Sequence, residues 1–167
     1  MASSSILLLL FFLCLSSIAT ANEKLSAYDA LKTFNFPMGI LPKGALGYDL
    51  NEKTGNFKAF LNGSCSFSLE GSYQLNYKST INGFISKNKL TNLSGVSVKV
   101  FFMWLNIVEV RRIGDELEFS VGITSANFPV DNFNECPQCG CGLKCKNDVN
   151  NHLLKEIDEV RSSISPI

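Results

Sequence analysis

The stretch LGYDLNEKTGNFKAFLNGSCSFSLEG, residues 46–71, decides the fold. Apolar and polar side chains alternate in 46–50, 57–61 and 65–69, the period of a half-buried strand. Between these runs stand Asn51 to Asn56, Asn62-Gly63 and Glu70-Gly71, residue types that turn a chain at low steric cost. The same grammar continues downstream in 73–77, 81–86, 89–93, 96–104, 107–113 and 116–123, with Asn82-Gly83 and Gly114-Asp115 read as further turns. Successive short strands joined by tight turns predict an antiparallel meander or pseudobarrel, not alternating strand and helix units. The fold class is therefore mainly β.

Outward from this core, the flanks change period. Ser26 with Asp29 three residues later resembles a capping box, and Ala27, Tyr28, Ala30, Leu31 and Phe34 mark one apolar side, so a short N-terminal helix is expected. Pro37 stops it, because the residue before proline is forced out of helical backbone. Residues 36–42, FPMGILP, form an apolar, bent connector that should pack on the domain. At the other end Asp148 can cap a helix, and Val149, Leu153, Ile157, Val160 and Ile164 form a single stripe. This predicts an appended C-terminal amphipathic helix docked on the domain, since a membrane-surface helix would carry more Lys and Arg on its polar face.

Residues 6–15, ILLLLFFLCL, are an unbroken apolar run of about half the roughly 20 residues that span a bilayer. Ala19-Thr20-Ala21 follows as a small-x-small cleavage site, so residues 1–21 read as a secretory signal peptide. The expected division is signal peptide 1–21, a β domain over 22–140, and a Cys-containing linker with the C-terminal helix over 141–167. No later stretch is long and apolar enough to cross a membrane as a helix. The destination is the secretory pathway, extracellular or cell wall. In that setting Cys136, Cys139, Cys141 and Cys145, packed into CPQCGCGLKC, are disulfide candidates rather than metal ligands, with the connectivity open. Cys65, the odd one left after Cys14 departs with the signal, reads as a small buried apolar residue. Asn62-Gly63-Ser64 and Asn92-Leu93-Ser94 are glycosylation sequons, making Asn62 and Asn92 candidate glycan sites.

One run breaks the alternation. Val96, Val98, Val100, Phe102 and Trp104 share a strand face, yet Phe101, Met103 and Leu105 on the other face are apolar too. A half-exposed strand does not look like this. Either the strand is covered on both sides, or one face lines a cavity, with Val100, Phe101, Phe102, Met103 and Trp104 as ligand-binding candidates. The 13 Phe residues of the chain suit either reading.

Charge excludes other classes. Fifteen Lys plus Arg balance 15 Asp plus Glu, and no basic excess exists for nucleic acid. His152, the sole histidine, falls on the expected C-terminal helix, and there is no Gly-x-Ser-x-Gly elbow, phosphate loop or His-Glu-x-x-His zinc motif. No cofactor, metal or catalytic residue is assigned. Asp49, Glu70, Glu109, Asp115, Glu116, Glu118 and Asp131 could in principle pair as acid and base, but their positions read as turns and polar strand faces, and Glu109-x-Arg111 as an outward strand face.

Tyr28-x-x-Leu31, Phe36-Pro37-x-Gly39-Ile40-Leu41-Pro42, the 96–112 region ending in Gly114, Phe128-Pro129-Val130 and Cys136–Cys139-Gly140 resemble the plant domain-of-unknown-function-538 family. The resemblance runs from about Tyr28 to Gly140 and departs from the family pattern at CGLKC and beyond. It implies a small secreted plant protein with a β pseudobarrel and an N-terminal helix. It also implies a distant likeness to the lipid-binding half-domain of bactericidal permeability-increasing protein. No catalytic residues come with it. The functional expectation is an apolar-ligand or lipid-binding module. The alternatives are a ligand-free interaction or stress-response module and a hydrolase using carboxylates such as Asp49, Glu70 or Asp131.

Overall fold

A computed structural model describes residues 25–69, 73–143 and 145. The expected signal peptide, the C-terminal amphipathic helix, Glu70 and His152 lie outside the described residues.

Helix α1 (Ala27–Thr33) starts where the sequence places it. The Ser26 hydroxyl accepts the Asp29 amide at 3.2 Å and donates to the Asp29 carboxylate at 2.5 Å. That hydrogen bond holds the exposed carboxyl below its ordinary range. The helix ends at Phe34, and Asn35 takes left-handed backbone (φ 66°). Phe36 then drops into the core with 1% of its surface exposed. A 3-10 turn (Met38–Ile40) packs on a second one (Val130–Phe133) near the end of the domain. A side chain at Gly39 would collide with the carbonyls of Phe133 and Glu135, so the two ends of the domain meet only because that position is bare.

The nine strands form one antiparallel sheet. They are β1 (Ala45–Leu50), β2 (Asn56–Leu61), β3 (Cys65–Ser68), β4 (Gln74–Ser86), β5 (Lys89–Val100), β6 (Met103–Asn106), β7 (Glu109–Ile113), β8 (Glu116–Ser120) and β9 (Ser125–Pro129). The order is β1-β2-β4-β5-β7-β8-β9, with β3 added to β4 and β6 added to β5. This is the expected meander, but it is not a barrel: the sheet stays open, with β1 and β9 at its two ends.

Its spine is the long β4–β5 hairpin, which the sequence reading had cut into four pieces. Asn82-Gly83 is no turn. Neither residue has a positive φ, and both lie inside a 13-residue strand. Gly83 instead makes room, because a Cβ there would press on the Thr91 carbonyl. The real turn is at Lys87-Asn88, with Asn88 left-handed (φ 64°).

The hairpin bends where its neighbours change. The Tyr77–Val96 pair and the Asn82–Ser94 pair are five residues apart on β4 but two apart on β5, a large bulge. On β4 this bulge separates the stretch paired with β3 from the stretch paired with β2. On β5 the matching stretch carries Asn92 (φ 49°) and Gly95 (φ 92°), between the residues paired with β7 and those paired with β6. A side chain at Gly95 would strike the Thr80 carbonyl, so the bend requires glycine there. These two left-handed residues reset the alternation, so Leu90, Leu93, Val96, Val98 and Val100 all face the same interior.

Candidate apolar binding site

That interior is hollow. A cavity of about 810 Å³ lies between the inner face of the sheet and the N-terminal layer. Tyr48, Ala59, Tyr77, Ile81, Leu90 and Val96 are among its sheet side. The apolar side of α1 contributes Ala27, Ala30, Leu31 and Phe34, joined by Ile40. Phe119, Phe128 and Phe133 contribute further wall, with ring centroids 5.9 Å apart for Phe119–Phe128 and 5.4 Å for Phe119–Phe133. The volume falls in the range of about 300–1,000 Å³ typical of small-molecule sites.

The lining is apolar with a few polar groups. The Tyr77 hydroxyl donates to the Ile40 carbonyl at 3.0 Å, tying β4 to the N-terminal layer, and burial pushes its phenol above the ordinary tyrosine range. Thr124, Ser125, Asn132 and Glu135 also line the cavity, all from the chain after β8. Among the described residues no charged side chain is buried, and the Tyr77 hydroxyl is satisfied by the Ile40 carbonyl. The arrangement can therefore take an apolar body, with any polar end directed to the side formed after β8.

Of the five residues expected to line a cavity, Val100 alone does. The chain reverses at Phe101-Phe102, and β6 pairs back on β5 through Val100↔Met103 and Lys99↔Trp104. Phe101 (89% exposed), Phe102 (94%), Met103 (65%) and Trp104 (49%) stand out in solvent at the hairpin tip. So the 96–104 run is not one strand: Val96, Val98 and Val100 line the cavity, and the chain then turns back on itself. No glycine, asparagine or proline announces the turn, and Phe101 adopts left-handed backbone (φ 55°) without one. The helix and sheet residues that do line the cavity were read only as the inward faces of elements. Their alternation was the signal, since it marks an interior without saying whether that interior is filled.

The cysteines also pair differently. Cys65 joins Cys139, with Cα atoms 5.0 Å apart, and Cys141 joins Cys145. Cys136, a disulfide candidate from sequence, is the free thiol, and Cys65 is not a lone apolar residue. Sequence counting left one thiol over but could not see that β3 and the C-terminal arm are neighbours, as the Gly140 amide donating to the Ser66 carbonyl at 2.7 Å shows. Cys136 donates to the Met38 carbonyl at 3.4 Å, and burial raises its thiol despite the opposing pull of Lys43 and Lys32. It stays protonated at neutral pH.

Among the described residues the candidate carboxylates do not assemble into a site. Asp49 lies opposite Lys58, on the face away from Tyr48 and the cavity. Asp131 sits exposed after β9, beyond the other end of the sheet. Glu109 pairs with Arg111 and with Lys89 at the surface. Among the described residues no group of three metal-ligating side chains is found. Asn62, in the β2–β3 turn, and Asn92, on β5, are both exposed.

The model of a plain family, "Protein of unknown function, DUF538", matches residues 27–134, and the chain belongs to that family. The chain is also similar to the uncharacterized protein At5g01610 of Arabidopsis thaliana, 26% identical over 95 residues. That alignment covers 57% of this chain and 55% of the relative, so the chain spans about half the length of the curated protein it matches. The two disulfides are compatible with a secreted protein. No helix among the described residues is long and apolar enough to cross a membrane.

Proposed function

We propose that this protein is an apolar-ligand or lipid-binding module of the secretory pathway, acting outside the cell or in its wall. The observation that carries this reading is the cavity of about 810 Å³ lined mainly by aliphatic and aromatic side chains. Apolar walls around so large a space stay uncovered until an apolar molecule packs against them, so the shell is complementary to a ligand of that chemistry. The disulfides support an oxidising compartment, and the exposed Asn62 and Asn92 sequons are the glycan sites that go with it.

Native mass spectrometry tests the reading on chain purified from a eukaryotic secretory host, before and after organic extraction. A near-stoichiometric apolar molecule that extraction removes is the expected result. Ala59, buried in the wall, offers a second test, because Ala59→Phe fills the cavity without touching its outer surface. Uptake of a fluorescent fatty acid should fall at least about tenfold. Unchanged uptake in this variant, or a bare mass with no uptake of any lipid class, overturns the proposal in favour of a ligand-free interaction module.

A further inference from the structure

We infer that the β5–β6 hairpin is a membrane-surface anchor whose Phe101 and Phe102 enter a phospholipid bilayer, with Trp104 and Lys99 at headgroup level. Four consecutive large apolar side chains are exposed at the hairpin tip, Phe101 and Phe102 on its two-residue turn and Met103 and Trp104 at the start of β6. Folding alone does not select them. A positive φ at the first residue of a two-residue hairpin turn is a place for glycine, and Phe101 occupies it at φ 55°. A strained, exposed Phe-Phe turn is explained by a contact that needs both rings.

Three features make that contact a lipid surface. The hairpin from Ser97 to Asn106 carries a single charge, Lys99, and no acid to repel phosphate headgroups. Lys99 lies directly across from Trp104, so a cation and an amphipathic ring sit just below a purely apolar tip, the order of side chains found at bilayer interfaces. The two strands pair up to Val100↔Met103, so a shallow insertion confined to the two-residue tip carries little backbone into hydrocarbon. The tip is also continuous with the cavity, because Val98 and Val100 line it immediately below the turn. An anchor here would set the cavity against the membrane, so that an apolar ligand passes between the two without crossing water. This last step rests on the proposed function, whereas the insertion does not.

The sole tryptophan of the chain, Trp104, reports the event directly. With vesicles of phosphatidylcholine, and of phosphatidylcholine with phosphatidylglycerol, its emission should move to shorter wavelength and acrylamide should quench it less. Phe102→Ser and Phe101→Gly should each lower partition into vesicles by roughly ten- to a hundredfold, the burial of one phenylalanine ring. Uptake of a water-soluble short-chain fatty acid by Phe102→Ser should be unchanged. Wild-type chain that ignores both vesicles, or Phe102→Ser that partitions like wild type, overturns the anchor. So does a Trp104 already shielded from acrylamide without lipid, since the tip is then covered by another part of the chain or by a second copy. Vesicle binding without fatty-acid uptake defeats the cavity reading and leaves the anchor standing. Uptake without vesicle binding does the reverse.

Discussion

The cavity wall and the β5–β6 tip are built from the same kinds of side chain and stand in opposite relations to water. Phe36, in the core packed beside that wall, is 1% exposed, whereas Phe102 is 94% exposed at the tip. In the wall, apolar residues alternate with polar ones and the backbone is ordinary strand, reset by residues suited to positive φ. At the tip, apolar residues follow one another and a phenylalanine takes the left-handed backbone. Apolar content therefore does not locate the interior of this protein. The path of the backbone does, and where that path is costly for its residues the reason has to be sought outside the fold.

Perturbing the closure of the shell should have the largest effect. The Cys65–Cys139 bond spans 74 residues of chain. On the loop-entropy account its loss in a Cys65→Ala, Cys139→Ala variant costs about 4–5 kcal/mol, read as a lower urea midpoint. The Cys141–Cys145 bond, spanning four residues, is worth about half as much by the same reasoning. Next comes the direct contrast of the two phenylalanines. Phe36→Ala should destabilise by about 3–5 kcal/mol through lost burial and a new void. Phe102→Ala should stay within about 0.5 kcal/mol of wild type, as exposed positions do. Equal losses in thermal melts would mean that the tip is packed and the comparison is false.

Tyr77 probes the wall by pH. Its folded phenol lies above the unfolded value of about 10, because burial disfavours the anion. A raised folded value means that the contribution is fully present below pH 10 and is lost as pH climbs beyond it, by about 1.4 kcal/mol per unit. Urea midpoints from pH 8 to 11 should therefore fall in wild type and fall less in Tyr77→Phe. That variant starts about 1 kcal/mol lower, having lost the bond to the Ile40 carbonyl. Parallel curves would show that water reaches the Tyr77 hydroxyl.

Much of this was legible in the chain. The Ser26 cap, the stop before Pro37 and the meander were read from short-range chemistry, and short-range chemistry decides them. The errors share one cause. Asn82-Gly83 has the composition of a turn, but Gly83 serves packing against Thr91, and Phe101-Phe102 has the composition of a strand but turns. In both, a tertiary or functional demand overrode local preference. Cys65 was misassigned because its partner lies 74 residues away, across a contact that no local pattern encodes. The apolar wall itself was visible as alternation. That it encloses space depends on the bulges at Asn92 and Gly95 and on the bend they give the sheet.

The smallest effect is the most informative about the tip. A non-glycine residue in left-handed backbone costs roughly 1–2 kcal/mol, and Phe101→Gly removes that cost. The lost ring gives up little, since it is 89% exposed. Against this, glycine gains freedom in the unfolded chain, worth about 0.5–1 kcal/mol. The balance is a stabilisation of about 0.5–1 kcal/mol, visible as a slightly higher urea midpoint. Yet the same substitution removes a ring that the anchor needs. Stability should rise while vesicle partition falls, the opposing movement of a position kept for function at the expense of folding. If Phe101→Gly destabilises the protein instead, the ring is held by a contact within the folded chain, and the tip belongs with the core after all.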